Sequence, residues 1–323
     1  VPLSYFGGIG RAAKFGILVK GSTCLDELAR ATIAAFDKTG TLTEGVFAVK
    51  SFSSQNALQL AAAAEKFSSH PVAAAFAGIS APFEAENAEE IAGRGVKCSV
   101  NSKPLVCGNA KLLEEEGIAF TPLSSTSTTI YVAYNGVYEG VIEVDDRIKS
   151  DAAEAIAELE RGGIKHTVML TGDGKNRAEE VARALGIKEC AAALLPDQKL
   201  KKAEELKERG GLIYTGDGIN DAPVMTVANC AVSMGKVGSD AAIEASDVVL
   251  VSDNLSLLPK ARRIAAGTRA IVFQNIVGSL VLKFAIMILS VALPSFPLIV
   301  AIFGDVGVML LAILNAMRTS FIK

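Results

Sequence analysis

Short apolar runs that end at a carboxylate or hydroxyl residue recur along the chain, and each leads into a loop rich in Gly or Thr. The first run, Ile33–Phe36, stops at Asp37 and continues as Lys-Thr-Gly-Thr. Later runs lead in the same way into Thr171 and into the acidic loop that contains Asp217. Such strand-then-loop units are typical of a parallel sheet, and ligands bind at the edge where its strands end. The pattern therefore predicts an α/β fold with Asp37 at that edge.

The α/β pattern is interrupted from residue 49 to residue 137. This segment opens with an Ala- and Leu-rich helical run and continues through Ser-Ser-His-Pro, where a Ser can cap the next helix and Pro71 suits its first turn. It ends with an alternating pattern around Asn135-Gly136, which predicts a β-hairpin. We therefore expect an α+β domain inserted between two parts of the α/β domain, at 21–48 and 138–265.

Two long apolar runs lie between residues 266 and 323, and each is long enough to cross a hydrocarbon core of ~30 Å. A short segment with two prolines separates them, so the pattern predicts a transmembrane helical hairpin. Asn275, Lys283 and Asp305 fall inside these runs. Charges at such depth are costly and usually face a bundle interior or a pathway, although Lys283 could instead extend to the membrane surface. Residues 1–20, apolar and then basic, fit either the cytosolic end of another membrane helix or a plain amphipathic helix.

Composition narrows the class of protein. Hydrophobic residues make up 50% of the 323 residues, and the mean hydropathy of +0.37 is high because of the C-terminal runs. The net charge of −3 gives no indication of nucleic-acid binding. The five cysteines are scattered without a C-x-x-C pair, which is typical of reduced thiols in a cytosolic setting, and two histidines are too few for a His-rich metal site.

Asp37 is the candidate nucleophile. A carboxylate at a strand end can form an aspartyl-phosphate, and the hydroxyls and main-chain N–H groups of its loop suit phosphate oxygens. The competing interpretation is an Asp that caps a strand-to-helix turn. Asp217 and Asp221 lie four residues apart and offer the oxygen ligands that Mg²⁺ prefers.

The string DKTGTLT, from Asp37 to Thr43, resembles the phosphorylation motif of P-type ATPases, and GDGINDAP, from residue 216, resembles their hinge motif. The resemblance implies a haloacid dehalogenase-like, Rossmann-type phosphorylation (P) domain in which ATP phosphorylates Asp37. It also implies that Asp37, Asp217 and the Thr39 carbonyl hold Mg²⁺, with further catalytic roles for Thr171, Lys199, Asn220 and Asp221. Thr171 and Lys199 would balance the charge of the transferring phosphoryl group.

The inserted segment resembles the nucleotide-binding (N) domain of heavy-metal (type IB) P-type ATPases. The resemblance implies an ATP site in which the His70 ring lies against the adenine, completed by Glu65, Gly93, Gly95, Gly108 and Asn109. Glycines allow a ligand to approach the backbone. Ser69 departs from the family pattern, which usually has Glu there, and without the resemblance His70 would be read as a residue of a capping turn.

The membrane pattern resembles the zinc/cadmium/lead branch of these ATPases, because seven residues separate Asn275 from Lys283 and because Asp305-Val306-Gly307 matches an Asp-x-Gly motif. The resemblance implies an ATP-driven exporter of Zn²⁺, Cd²⁺ or Pb²⁺ in which Asn275, Lys283 and Asp305 contact the transported ion. We expect a multi-pass protein of the plasma or inner membrane, in contact with lipid, with cytoplasmic catalytic domains. The Thr-Gly-Glu actuator motif and the Cys-Pro-Cys helix of the family do not occur in the sequence, so we expect this to be the C-terminal part of a longer protein whose actuator and other membrane helices precede Val1.

Two other functions compete with this interpretation. The first is a soluble phosphatase of the same superfamily. Such phosphatases commonly carry a second Asp two residues after the nucleophile, and Thr39 cannot replace it as an acid–base group at neutral pH. The second is a membrane-anchored nucleotide-binding regulator without turnover, against which the intact Asp37, Lys199 and Asp217 argue.

Overall fold

The structure is a computed structural model that describes residues 1–91, 93–123, 125–216, 221–235, 244–292 and 302–322. The predicted loop residues Asp217 and Asn220, and the predicted turn between the two apolar runs, lie outside the described residues. The chain divides into two compact units: the first unit consists of Val1–Leu42 and Ser150–Lys323, and the inserted unit of Thr43–Lys149.

The described part of the chain contains both strands and helices in each unit. The strands are β1 (Ile17–Val19), β2 (Ile33–Asp37), β3 (Thr43–Phe52), β4 (Ala85–Ile91), β5 (Gly95–Val100), β6 (Lys103–Gly108), β7 (Thr128–Tyr134), β8 (Val137–Ile148), β9 (His166–Leu170), β10 (Glu189–Ala191), β11 (Leu212–Gly216), β12 (Cys230–Met234) and β13 (Val248–Leu250). The α-helices are α1 (Pro2–Ala13), α2 (Ser22–Arg30), α3 (Gln55–Ala64), α4 (Ala110–Glu115), α5 (Ala152–Arg161), α6 (Lys175–Leu185), α7 (Pro196–Arg209), α8 (Ala222–Val227), α9 (Leu257–Ala292) and α10 (Val308–Met317). Short 3₁₀ helices cover Glu65–Phe67, Pro71–Phe76 and Arg318–Phe321.

The first unit is built on a seven-stranded sheet with the order β1-β13-β12-β11-β2-β9-β10. All neighbouring pairs are parallel except β1 with β13. The central strands are apolar along almost their whole length, and Phe36 and Tyr214 are fully buried, as expected for a parallel sheet covered on both faces. This confirms the predicted α/β fold.

A charge cluster lies at the start of β10, where Glu189 accepts a hydrogen bond from Lys202. The His166 Nε2 atom lies 2.7 Å from Glu189 and the Lys202 Nζ atom 2.9 Å from it. The hydrogen bond with His166 lowers the pKa of the Glu189 carboxyl to about 2, although partial burial opposes this. The cluster holds β9 and β10 together at the amino end of these strands.

The inserted unit is an antiparallel sheet with the order β3-β8-β7-β6-β5-β4, and α3 packs on one face of it. The β7–β8 hairpin turns at Asn135 and Gly136, which have φ of 53° and 77°, as a type I′ turn requires. Pairing between β3 and β8 begins at Thr43 and Ile148, so the sheet extends beyond the predicted 49–137. Strand β8 completes the inserted sheet, and the chain re-enters the first unit at Ser150.

Helix α9 starts earlier than the predicted membrane boundary at residue 266. Its first turns carry buried Leu258, Ala261, Ile264 and Thr268 at helical spacing, and they pack on α2 and α5. The predicted boundary therefore falls inside one continuous helix. By length and composition, Leu257–Ser290 is long and apolar enough to cross a membrane, and Val308–Phe321 is a shorter apolar helix.

One buried arginine joins α9 to the sheet region. Arg262 donates hydrogen bonds to the main-chain carbonyls of Gly162, at the end of α5, and of Ala31, two residues before β2. Helix α1 also packs on α9, since a Cβ atom at Gly8 would lie 2.3 Å from the Thr268 hydroxyl. These contacts fix α9 against the elements that lead to Asp37.

Candidate active site

Three neighbouring parallel strands end close to Asp37. Asp37 is the last residue of β2 and pairs with Leu170 of β9, so Thr171 is the first residue beyond that strand. On the other side Phe36 pairs with Thr215, which places Gly216 at the level of Asp37. The strand ends therefore lie where the sequence predicted them.

Lys199 brings two carboxylates together at this edge. Its Nζ lies 2.5 Å from Asp37 Oδ1 and 2.6 Å from Asp221 Oδ1. The side chains of Lys199, Asp37 and Asp221 are only 12%, 13% and 3% exposed. Lys199 lies in the first turn of α7, where the Gln198 side chain accepts a hydrogen bond from Leu195 N and fixes the start of the helix.

The electrostatics of the cluster keep Lys199 charged. Burial alone would lower the pKa of the Lys199 ammonium, but the Asp37 and Asp221 carboxylates outweigh burial and raise it. A fixed positive charge beside a strand-end carboxylate can stabilise negative charge that develops there.

A second ion pair, which sequence reasoning missed, holds the neighbouring loop. Lys38, only 3% exposed, forms an ion pair with Asp173. Asp173 N in turn donates to Thr171 Oγ1 at 3.1 Å, and Thr171 N donates to Ala191 O at 3.0 Å. The signal was available, because Lys38 and Asp173 lie beside Asp37 and Thr171 in sequence, and a buried Lys requires a partner.

The described residues fit a Mg²⁺ site in which protein oxygens, phosphate and water together coordinate the ion. The Asp37 carboxylate and the main-chain carbonyl of Thr39 are oxygen ligands that Mg²⁺ prefers. Asp221 Oδ2 is buried without a hydrogen-bond partner among the described residues, and a Cβ at Gly216 would lie 2.8 Å from it. No cluster of three His, Cys, Asp or Glu side chains within the described ranges could hold a metal alone. Asp217, the next residue in sequence, lies outside the described residues.

The inserted unit contains an open pocket of about 620 Å³. It contains all six residues predicted to bind the nucleotide, together with Ser68, Glu90 and part of β7. The predicted six are Glu65, His70, Gly93, Gly95, Gly108 and Asn109.

Glycine is needed at different positions of this pocket for different structural reasons. Gly95 pairs with Gly108 across β5 and β6, and a Cβ at Gly95 would lie 2.2 Å from the Cys107 carbonyl oxygen. Gly93 has φ of +71° and open space where its Cβ would be. Asn109 caps α4 through Leu112 N and donates from Nδ2 to the Gly93 carbonyl at 3.0 Å. Gly95 and Gly108 therefore allow close strand pairing, whereas Gly93 leaves room for a ligand.

His70 and Glu65 differ in burial. The exposed His70 caps the Pro71–Phe76 helix, and its Nδ1 accepts a hydrogen bond from Val72 N at 3.3 Å, which leaves the proton of the neutral ring on Nε2. Glu65 is buried, and burial raises the pKa of its carboxyl, which accepts a hydrogen bond from Cys107. The capping-turn interpretation of His70 is thus correct as geometry and compatible with a place in the pocket.

The predicted membrane residues are held differently from one another. Asn275 Nδ2 donates to Ser4 Oγ at 3.3 Å and to Ala312 O at 3.1 Å, and its Oδ1 accepts from Asn315 Nδ2 at 2.9 Å. Lys283 is exposed and lines a common cavity with Asn275. The Asp305 backbone lies in the short π-helix Phe303–Gly307. A common ion site for Asn275, Lys283 and Asp305 stays a prediction.

The chain is similar to known proteins over most or all of its length. Residues 31–229 match the haloacid dehalogenase-like hydrolase family. The chain is 45% identical over 337 residues to a cadmium, zinc and cobalt-transporting ATPase of Bacillus subtilis, covering 100% of this chain and 48% of the relative. A zinc-transporting ATPase of Synechocystis is 46% identical over 331 residues, covering 98% of this chain and 46% of the relative. The chain thus spans about half the length of the curated relatives it matches.

Solved structures of ATPases also resemble the chain. A crystal structure of a zinc-transporting PIB-type ATPase in the E2.Pi state matches with a TM-score of 0.87 and 35% identity, over 99% of this chain and 55% of that chain. The catalytic domain of the CPx-ATPase CopB-B matches with a TM-score of 0.63 and 27% identity, over 79% of this chain and 98% of that chain. The resemblance to heavy-metal P-type ATPases is confirmed along the whole chain. Because the family match covers more than half of its residues, the chain belongs to the haloacid dehalogenase-like hydrolase family, in which its relatives are metal-transporting ATPases.

Proposed function

We propose that the chain forms the catalytic and C-terminal membrane part of an ATP-driven exporter of a divalent heavy-metal cation, Zn²⁺, Cd²⁺ or Pb²⁺. The observation that carries the proposal is the buried Lys199 ammonium bound to both Asp37 and Asp221 at the carboxyl edge of a parallel sheet. That arrangement supports a carboxylate nucleophile beside a fixed positive charge. The relatives named as metal-transporting ATPases support the class of reaction and of cargo.

The proposed chemistry is phosphoryl transfer to Asp37. One carboxylate oxygen of Asp37 bonds to the γ-phosphorus of ATP as the bond from that phosphorus to the β–γ bridging oxygen breaks, which yields an aspartyl-phosphate and ADP. Lys199 and the Thr171 hydroxyl stabilise charge on the transferring group. Bound Mg²⁺ supplies further charge neutralisation, and Asp37, the Thr39 carbonyl and Asp217 would hold it. Asn220 and Asp221, from the same loop, complete the proposed catalytic set.

We expect the aspartyl-phosphate to be long-lived because residue 39 is a threonine. A carboxylate two residues after the nucleophile could activate water, but the hydroxyl of Thr39 cannot do so near neutral pH. Hydrolysis then needs a water-positioning group from elsewhere. We therefore expect phosphorylation to outlast ATP depletion in this chain by itself.

The pocket of the inserted unit is the proposed ATP-binding site, with adenine against the His70 ring. Glu65 and the turn at Gly93 would complete the binding site for the adenine base and the ribose of ATP. The membrane part would contact lipid through α9 and Val308–Phe321, with the transported ion near Asn275, Lys283 and Asp305. In this proposal the protein is multi-pass in the plasma or inner membrane, its catalytic units are cytoplasmic, and an actuator domain and further membrane helices are its partners in the same protein.

Radiolabelled ATP tests the proposal directly. The purified full chain, incubated with [γ-³²P]ATP and Mg²⁺, should acquire an acid-stable label that hydroxylamine removes. Asp37→Asn should abolish the label, whereas Asp197→Asn, at an exposed carboxylate in the first turn of α7, should retain it. Label that survives Asp37→Asn would refute the nucleophile. ATP binding without any label would favour the regulator, and rapid continuous phosphate release would favour the phosphatase.

A further inference from the structure

Glu90 binds the turn that precedes His70. Its Oε1 accepts hydrogen bonds from Ser68 Oγ at 3.1 Å and from Ser69 N at 3.0 Å, and its Oε2 accepts from Ser69 Oγ at 2.9 Å. Two consecutive residues thus give three hydrogen bonds to one carboxylate on β4. The hydrogen bonds from Ser69 also lower the pKa of the Glu90 carboxyl, which is charged at neutral pH.

The same contacts continue to His70. Ser68 Oγ, which donates to Glu90, also accepts a hydrogen bond from His70 N at 3.1 Å. The ring is fixed in addition by Val72 N, which donates to its Nδ1. Glu90, Ser68 and His70 all line the pocket. A chain of hydrogen bonds therefore runs from the strand carboxylate to the residue proposed to contact the adenine.

Glu90 is poorly suited to contact the nucleotide itself. Its carboxylate oxygens are directed at the two serines, and a charged carboxylate would repel the phosphates of ATP. The other contacts of the turn among the described residues are local, since both Ser68 N and the Ser68 side chain hydrogen-bond to Glu65, three residues earlier, and Ser69 is exposed. Glu90 is therefore the long-range anchor of a turn that would otherwise depend on local contacts.

We propose that Glu90 is a positioning residue for nucleotide recognition, acting through Ser68 and Ser69 to hold the His70 ring in the pocket. The inference rests on the proposed function of the pocket as an ATP site. It predicts that removing the carboxylate weakens nucleotide binding without changing the chemistry at Asp37.

The test measures ADP and ATP affinity of the full chain by calorimetry. Glu90→Ala should weaken binding on the order of tenfold, the lower end of what outer-shell partners of metal ligands contribute. The double variant Ser68→Ala/Ser69→Ala should lose a similar factor, and adding Glu90→Ala to it should cost no more, because all three changes break one chain of contacts. Glu89→Ala, an exposed neighbour on the same strand, is the matched control and should bind as the wild type does.

A second readout reports on the ring itself. The chain has two histidines, so ¹³C-labelled histidine gives one resonance for His70 and one for His166. In Glu90→Ala the His70 resonance should move and its response to ADP should shrink, while the His166 resonance stays in place. At saturating ATP the rate of Asp37 labelling should be unchanged, so that the loss falls on KM.

The outcomes separate this inference from the proposed function. If the wild type binds no ADP or ATP, the proposed function fails first. If the wild type binds and Glu90→Ala equals Glu89→Ala, the positioning role is wrong. Losses that add between Glu90→Ala and the serine variants would mean direct contact with the ligand and would also overturn it. Glu90→Gln, which keeps one acceptor oxygen, should fall between wild type and Glu90→Ala and guards against a folding defect.

Discussion

Replacing Lys199 by Met would remove the charge that joins Asp37 to Asp221 while keeping most of the side-chain length. In the wild type one nitrogen lies 2.5 Å and 2.6 Å from the two carboxylates. Since both contact the same atom, their nearest oxygens are at most about 5 Å apart. Without Lys199, two mostly buried negative charges would face each other.

The expected loss is large for a single side chain. At an effective dielectric constant of about 20, two charges about 5 Å apart repel by roughly 3 kcal/mol. Removing one partner from a buried ion pair costs about 3–5 kcal/mol in measured cases. With carboxylates that are 13% and 3% exposed, solvent screens little of this. We therefore expect the Met variant to lower the free energy of opening of the seven-stranded sheet by about 3 kcal/mol.

Native-state hydrogen exchange measures this loss where it occurs. Amides of β2 and β11 should exchange faster in Lys199→Met, and amides of β5 and β7 in the inserted unit serve as an internal reference. Lys199→Arg keeps the charge and should lose less. Asp221→Asn in the Met background removes one repelling charge and should restore part of the loss.

The pH dependence has a definite sign. Because the folded state raises the pKa of Lys199 above its ordinary 10.5, its stabilisation is present at neutral pH and is lost only as pH rises through the raised value. The wild-type advantage should therefore be constant between about pH 6 and 9. A loss below about 1 kcal/mol, the range of exposed pairs, would contradict this reasoning, as would a further loss on adding Asp221→Asn.

Four further substitutions test other parts of the structure. Glu189→Gln should lower the thermal unfolding midpoint at pH 7. Since the Glu189 pKa falls from 4.5 to about 2 on folding, the stabilisation exists above the ordinary value, and the difference from wild type should vanish as scans approach pH 2. Arg262→Met should destabilise the first unit by about 1–3 kcal/mol for each of the two buried carbonyls that lose a donor, as hydrogen exchange of α5 and β2 would report. Gly95→Ala should disrupt the inserted sheet by circular dichroism, whereas Gly93→Ala, with open space but positive φ, should cost only about 1 kcal/mol and mainly weaken ADP binding.

The sheet and the position of its carboxyl edge could be predicted because parallel strands have strong local signals. Ile33–Phe36 is an unbroken apolar run. The hydrophilic residue Asp37 follows it directly, and Thr171 follows the later apolar run that ends at Leu170 in the same way. Parallel pairing then places such strand ends at one edge whatever their order. The hairpin at Asn135-Gly136 could also be predicted from a local signal, because a type I′ turn favours residues that adopt positive φ.

What the sequence did not reveal are side-chain contacts between polar or charged residues that are distant in the chain. The Lys38–Asp173 and Glu90–Ser69 contacts join surface-type residues whose partners no periodicity indicates. The boundaries at 48 and 138 were missed because β3 and β8 extend an alternating pattern beyond the inserted core. The start of α9 was missed because the change in composition shows where the apolar membrane-type sequence begins. It gives no information on where the helix itself begins.

The charge balance at the carboxyl edge explains why the proposed reaction needs a divalent cation. Lys38 and Asp173 neutralise each other, and Lys199 faces both Asp37 and Asp221, so these five side chains sum to one negative charge. Phosphorylation converts the Asp37 carboxylate into an acyl phosphate that carries about two negative charges, and one ammonium cannot offset these together with Asp221. A helix terminus or further hydrogen bonds could distribute that charge but would not cancel it. These five side chains therefore sum to about two negative charges once Asp37 is phosphorylated, and Mg²⁺ supplies two positive charges.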